Sequence, residues 1–284
     1  MMEDKKLKLG IVIPSFNQDK YLEKAIQSAV ESKKHVDADI VVMDGGSTDE
    51  SVEIIKKYQN ELLYWQSEPD HGQGDAINRG MQHLLHCDYL IWLNSDDEYD
   101  SPEALKKMIT YASDQELDLC YGKSYFIDEE GKRIGEYPTK PYSYQDLGFN
   151  CYFSQPSVMF SSKLWKACGG INTNLHMCLD YELWIRMAQM GKVGYYEDYV
   201  GNTRMYDDTK TATNVKRHLE EAICILYHYY GKVPNHWIRS YCREKYVIKN
   251  KIVSGIVALL DKPNVIKKVV ATYSEVWYNR NDVF

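Results

Sequence analysis

The 284-residue chain has seven cysteines but no Cys-X-X-Cys pair. An odd number of thiols without framework spacing speaks against a disulfide scaffold or a zinc module. It fits reduced thiols in a cytosolic setting. Long apolar runs are also missing: the longest near the C-terminus, residues 252–260, is too short to span a bilayer. The opening Met1-Met2-Glu3-Asp4-Lys5-Lys6 lacks the apolar core and cleavage site of a signal peptide. The expected location is therefore cytoplasmic. No phosphate-loop Gly-Lys-Ser/Thr pattern occurs, and Gly72-Gln73-Gly74 lacks the strand and third glycine of a dinucleotide fingerprint. No internal repeat or low-complexity segment is visible.

Positive charge is scarce over most of the chain. The net charge is −7, yet residues 232–268 hold nine Lys or Arg against two acids. The last sixteen residues balance at −1, which leaves −13 on residues 1–231. Such an acidic body does not look like a nucleic-acid binder. Hydrophobic residues at 44% and charged residues at 26% are ordinary for a globular protein with a real core. Tyrosine is abundant, at 24 residues. Tyr suits surfaces that are half apolar and half wet, sugar sites included, although most such side chains simply fill cores.

The first hundred residues alternate strand and helix patterns. Leu9 to Pro14, Asp39 to Asp44, Leu62 to Gln66 and Tyr89 to Leu93 are short apolar runs bounded by turn residues. Tyr21, Leu22, Ala25, Ile26, Ala29 and Val30 recur at helical spacing between the first two. Helices over Val52–Tyr58 and Gly72–His86 separate the others. Alternation of this kind predicts a parallel sheet covered on both faces. In such sheets ligands bind outside the carboxyl ends of the strands. Pro14-Ser15, Asp44 and Asn94-Ser95-Asp96-Asp97 are the tips expected there. The second half is less regular. It predicts strands over Asp118–Ile127, Ser157–Phe160 and Val193–Val200, a helix from Leu179 toward Gly191, and mostly helix from about residue 214.

Asp96 and Asp97 are a poor choice for packing, because burying unpaired charge is costly. They suit a hard divalent cation shared with a phosphate. Taken alone, the segment reads equally well as a solvated turn with a cap.

Together the motifs resemble family 2 glycosyltransferases of GT-A fold, across roughly residues 8–211. Ile11-Val12-Ile13-Pro14-Ser15-Phe16-Asn17 resembles the opening strand and nucleotide loop. Val42-Met43-Asp44-Gly45-Gly46-Ser47-Thr48-Asp49 is similar to the family's acid-Gly-Ser-Thr-Asp loop. Glu68-Pro69-Asp70, Gly72, Asp75-Ala76, Asn78 and Gly80 resemble a segment of capsule and lipopolysaccharide sugar transferases. Asn94-Ser95-Asp96-Asp97 matches the metal motif. Gln155-Pro156 through Gly169-Gly170, then Leu179-Asp180-Tyr181-Glu182-Leu183-Trp184, resembles the acceptor half.

The resemblance implies a mostly parallel Rossmann-like α/β sheet flanked by helices. The catalytic domain would span 1–213, with a nucleotide-binding half to about 100 and an acceptor half beyond, followed by a helical region over 214–284. It implies inverting transfer of a hexosyl or N-acetylhexosaminyl group from a nucleotide-diphosphate sugar, a UDP-sugar by family frequency. The acceptor would be a glycan or lipid-linked saccharide in surface polysaccharide assembly. Asp97 would hold Mn²⁺ or Mg²⁺. Asp96 would bond the ribose or position the donor. Asp44 would read the base edge in a pocket lined by Pro14, Ser15 and Asn17, and Asp75 would lie near the donor. Asp180 would be the general base, with a helix N-cap as its competing reading. Glu182 is the runner-up for that role, against a solvated helix residue as its plainer reading. Arg204 and Lys210 are placed to contact the diphosphate. The chain departs from the family in three places. Gly45 stands where many relatives carry a second acid, Asn94 leads the metal motif, and Tyr206 replaces a frequent His.

His83 and His86 read as ordinary helix residues, with no further metal ligands evident. The basic, apolar tail includes Trp237, Tyr241, Val247, Lys249, Lys251, Ile252, Ile256, Lys267 and Lys268. It reads equally as a peripheral contact with an anionic membrane through 232–284 or as a helical cap on the catalytic domain. Two other function classes are a sugar-nucleotide nucleotidyltransferase and a non-catalytic nucleotide-sugar-binding partner. The first is expected to carry a Gly-rich, Arg-containing loop after the first strand, and Pro14-Ser15-Phe16-Asn17 is not one.

Overall fold

Alternation of apolar residues sets the layering. In β1 (Lys8–Ser15), Leu9, Ile11 and Ile13 point to one face of the sheet and Val12 to the other. A computed structural model describes residues 7–246 and 251–273 of the chain. Met1–Lys6, Val247 and Lys249 lie outside the described residues, as does the side chain of Lys251.

The chain continues through α1 (Asp19–Lys33), β2 (Asp37–Asp44), α2 (Ser51–Tyr58), β3 (Tyr64–Ser67), α3 (Gln73–Gln82) and β4 (Tyr89–Trp92). Then come β5 (Glu98–Tyr99), α4 (Ala104–Asp114), β6 (Leu119–Ile127), β7 (Arg133–Glu136), α5 (Tyr144–Leu147), β8 (Val158–Ser161) and α6 (Ser162–Cys168). Next are α7 (Leu179–Met190), β9 (Val193–Arg204), α8 (Lys210–Thr213), α9 (Val215–Tyr230), α10 (Asn235–Lys245) and α11 (Lys251–Thr272).

One sheet has the order β3-β2-β1-β4-β8-β6-β9-β5, with β7 added to β6. Its first four strands are parallel, as expected. Beyond β4 the sheet is mixed: β8 runs antiparallel to both β4 and β6, β6 is parallel to β9, β5 is antiparallel to β9, and β7 is antiparallel to β6. The register aligns Ser15 with Asp44, and Asp44 with Ser67, so three strand tips stand abreast.

Two apolar layers cover the sheet. Helices α1, α2 and α4 close one face around Ile11, Ile40, Ile91 and Met108. Helices α3, α7 and α9 close the other around Val12, Met43, Trp92 and Trp184. On that side Trp92 stacks on Trp184 with ring centroids 5.0 Å apart, and Phe160 stacks on Trp165 at 5.4 Å. Helix α3 approaches β1 closely through Gly80, where a Cβ would lie 2.7 Å from Val12 Cγ1. The helices after residue 214 continue this core: Leu219, Ile223, Trp237, Ile238 and Val269 are buried in it. Among the described residues no helix is long and apolar enough to cross a membrane.

Two expectations for the second half change. The strand expected over Val193–Val200 continues to Arg204, because β6 supplies hydrogen bonds along its whole length. Glu182 is not solvated but fully buried, paired with Arg186 Nη2 at 2.7 Å and accepting a hydrogen bond from the Tyr229 hydroxyl. An arginine one helical turn on gives the carboxylate an internal partner.

Candidate active site

The carboxyl ends of β1 and β2 build a tight polar loop around Asp44. Its buried carboxylate accepts hydrogen bonds from Ser47 N (2.8 Å), Gly46 N (3.2 Å), Ser47 Oγ (2.6 Å) and Ser67 Oγ (2.6 Å). Gly46, at φ +83°, allows the turn. Asn17, itself at φ 50°, donates its N–H to Ser47 Oγ and accepts from Thr48 N at 2.9 Å. Pro14 and Ser15 end β1 beside this loop, and the buried Ser15 hydroxyl has no hydrogen-bond partner among the described residues. Asp75, in the first turn of α3, accepts from His71 N at 3.2 Å.

The tip after β4 is a turn closed by Asp97 N on Asn94 O at 3.1 Å. Asp97 is 4% exposed. Its carboxylate accepts from Arg204 N at 2.9 Å and from Asn94 Nδ2 at 3.3 Å. Tyr206 donates its hydroxyl to Asp96 Oδ2 at 2.8 Å. Among the described residues no cationic side chain is hydrogen-bonded to either carboxylate. Burial holds both carboxyls above their usual range, and the Asp96 charge raises Asp97 further.

Arg204 is placed behind this tip. Its fully buried guanidinium donates to the carbonyls of Asp96 (2.8 Å), Asp128 (2.7 Å) and Glu129 (3.1 Å) and pairs with Glu98 at 3.4 Å. Those contacts engage it from within, so it braces the Asp96–Asp97 loop, and the longer β9 carries it inside the sheet.

Asp180 lies in the first turn of α7. Cys178 holds the N-cap position, and the Asp180 carboxylate accepts from its neighbour Tyr181 N at 2.7 Å. Burial raises the Asp180 carboxyl above its usual range; the Tyr181 N–H, His218 and Lys210 pull it back. Lys210 joins the two acidic sites. Its ammonium acts electrostatically on Asp180 and donates to Gln73 Oε1 at 3.0 Å. Gln73 Nε2 in turn donates to Asn94 Oδ1 at 2.9 Å, and Asn94 bonds Asp97. The two halves also meet where Asn78 of α3 bonds both backbone groups of Ile171.

The sequence profile described as glycosyl transferase family 2 matches residues 10–164. The chain belongs to that family. This glycosyltransferase is 26% identical over 264 residues to an uncharacterised glycosyltransferase of Methanocaldococcus jannaschii, covering 88% of this chain and 87% of that one. It is 26% identical to the chondroitin synthase of Escherichia coli over 64% of this chain but only 27% of the synthase. The fold is GT-A. It matches S. aureus TarS in complex with UDP-GlcNAc at TM-score 0.62 and 14% identity, over 93% of this chain and 83% of that one. A mannosyltransferase from Pyrobaculum calidifontis in complex with GDP-Man and Mn²⁺ matches at TM-score 0.58 and 14% identity, over 94% and 79%.

The donor set of this glycosyltransferase fits a hard cation: adjacent carboxylates, Asp97 buried and Asp96 half-buried, oxygen ligands only, and no bonded cationic side chain among the described residues. A second cluster fits less well. Asp39, His86 and Cys87 lie within metal-ligand reach of one another, although the sequence left His86 without ligands. Lys8 already sits 2.9 Å from the Asp39 oxygen that bonds His86, and burial pushes the Cys87 thiol up to about 12. That group is a closed ion-pair cluster. Sequence reasoning missed Gln73 and Glu221, a buried carboxylate near Asp180. Neither sits in a recognisable motif, since each acts through partners distant in the chain.

Proposed function

We propose that this glycosyltransferase moves a sugar from a nucleotide-diphosphate sugar, a UDP-sugar, to a hydroxyl of a glycan or lipid-linked acceptor in surface polysaccharide assembly, with inversion. The carrying observation is the run of hydrogen bonds from the buried Asp97 through Asn94 and Gln73 to Lys210, whose charge also favours the ionised form of Asp180. UDP-GlcNAc in TarS and the polysaccharide synthases among the relatives support the donor and acceptor classes. The Mn²⁺ in the mannosyltransferase supports a divalent cation.

In this reading Asp97 holds Mn²⁺ or Mg²⁺ with Asp96 beside it. The cation supplies neutralisation of the charge that develops on the departing diphosphate. Ser15, Asn17 and the Asp44 loop seat the nucleoside, and the free Ser15 hydroxyl offers a hydrogen bond to it. Asp75 borders the donor. The acceptor oxygen bonds to the anomeric carbon as the bond to the diphosphate oxygen breaks, and the Asp180 carboxylate takes the acceptor's proton. Lys210, bonded to Gln73, adds a positive charge that favours the ionised form of Asp180. The exposed apolar residues of α11, next to a basic stretch, support a peripheral contact with anionic lipid at the inner face of the plasma membrane.

Thermal unfolding with UDP, GDP, UDP-GlcNAc and GDP-mannose, each with and without Mn²⁺, tests the donor site. A saturating uridine nucleotide with Mn²⁺ should stabilise by about 2.7 kcal/mol at a hundredfold excess over Kd. Asp97→Asn should erase the Mn²⁺-dependent part. No shift with any nucleotide, or an unchanged shift in Asp97→Asn, would overturn the assignment.

A further inference from the structure

Asp180 gains its place from a helix that sequence alone would set apart as an appendage. Helix α7 starts at Cys178 with no side-chain cap. The turn that feeds it is held from outside. Glu221 of α9 is fully buried, and its carboxylate accepts hydrogen bonds from three successive backbone amides: His176 (3.1 Å), Met177 (2.7 Å) and Cys178 (3.0 Å). Successive N–H groups turned onto one anion form a binding concavity. Arg217, one turn back on α9, donates to the same carboxylate at 2.9 Å. The Cys178 thiol reaches the His218 carbonyl at 3.5 Å. Two residues beyond this clamp the chain presents Asp180.

We propose that Glu221 is a positioning residue: it fixes the 176–178 turn, and through it the half-buried setting of Asp180, so that α9 is a working part of the acceptor site. The inference rests on Asp180 being the proton acceptor. Charge-assisted hydrogen bonds are the strong ones, and a buried carboxylate with three amide partners leaves them unmet when it is replaced. The titratable groups facing Asp180 are Tyr137 and Cys151 from the segments before α7, Cys178 at its start, Lys210 of α8 and His218 of α9.

The test compares the full-length protein with Glu221→Gln, and with Glu220→Gln as control, whose position faces Tyr241 instead. Amide exchange at His176, Met177 and Cys178 should accelerate roughly 10- to 100-fold in Glu221→Gln, the scale of one lost charge-assisted bond. The Asp180 carboxyl, followed by carbon-13 NMR of labelled aspartate and assigned by its loss in Asp180→Asn, should titrate at lower pH as the released turn lets in water. A merely structural clamp would speed exchange and leave that titration unmoved. Unchanged exchange, or an unmoved Asp180 titration, overturns the proposal. If both respond and Asp180→Asn still turns over UDP-GlcNAc as fast as wild type, the clamp stands and the proton-acceptor reading fails.

Discussion

Asp180 carries a pH signature that an exposed aspartate lacks. Its carboxyl is raised by burial, and in the proposed role the ionised form is the base. Turnover should therefore fall as pH drops through a pKa above the usual carboxylate range, read as the acid limb of kcat against pH. Asp180→Asn should lower kcat roughly 10²- to 10⁴-fold, with donor KM unchanged. Stability moves the other way. Below the unfolded pKa both states are protonated and Asp180 contributes nothing. As pH rises, the unfolded state ionises first, so the burial cost grows and is complete above the folded pKa. Asp180→Asn should thus raise Tm at neutral pH and leave it unchanged near pH 3. The acids at 44, 96, 97 and 180 were legible because adjacent carboxylates and acids at strand or helix ends stand out in a sequence. Arg204 was not, because its partners are carbonyls at 96, 128 and 129, contacts that a side-chain pattern does not encode.

Two elements turn on single residues. Helix α3 lies against β1 and β2 only because position 80 has no side chain; a Cβ there would also meet Met43 Cγ at 2.9 Å. Gly80→Ala should cost about 1–3 kcal/mol through overpacking, seen as a lower urea midpoint. In α7 the buried Glu182–Arg186 pair sits inside the core. Glu182→Gln leaves the guanidinium buried without its counter-charge and should destabilise by about 3–5 kcal/mol in the same assay. The first four strands were readable because each is a short apolar run ended by turn residues. The two-residue β5 and the exposed β7 were not. β5 is a strand only because the distant Asn202 and Gly201 pair with it, and β7 is an exposed return strand that takes its hydrogen bonds from Tyr125 to Ile127 across one turn.

At the scale of the whole molecule, the helices beyond 214 do more than one thing. One face of α11 buries Ala258, Val265 and Val269 in the shared core, as the cap reading held. Another leaves Ile252, Ile256, Leu259 and Leu260 exposed, Leu260 by 78%. If this stripe meets lipid, the full-length protein should co-sediment with phosphatidylglycerol vesicles and not with phosphatidylcholine ones, and Leu259→Glu with Leu260→Glu should reduce binding more than tenfold. Equal recovery from both vesicle types would remove the membrane contact. The stacked aromatics at the seam between the halves bring an optical consequence. Trp92 rides on β4, the strand that leads to Asp96 and Asp97, and Trp184 on the helix that carries Asp180. Both rings are sealed from water, so their emission should be blue-shifted and shielded from iodide. Any shear of α7 across the sheet would change that light, giving a label-free gauge of whether the two halves slide during turnover.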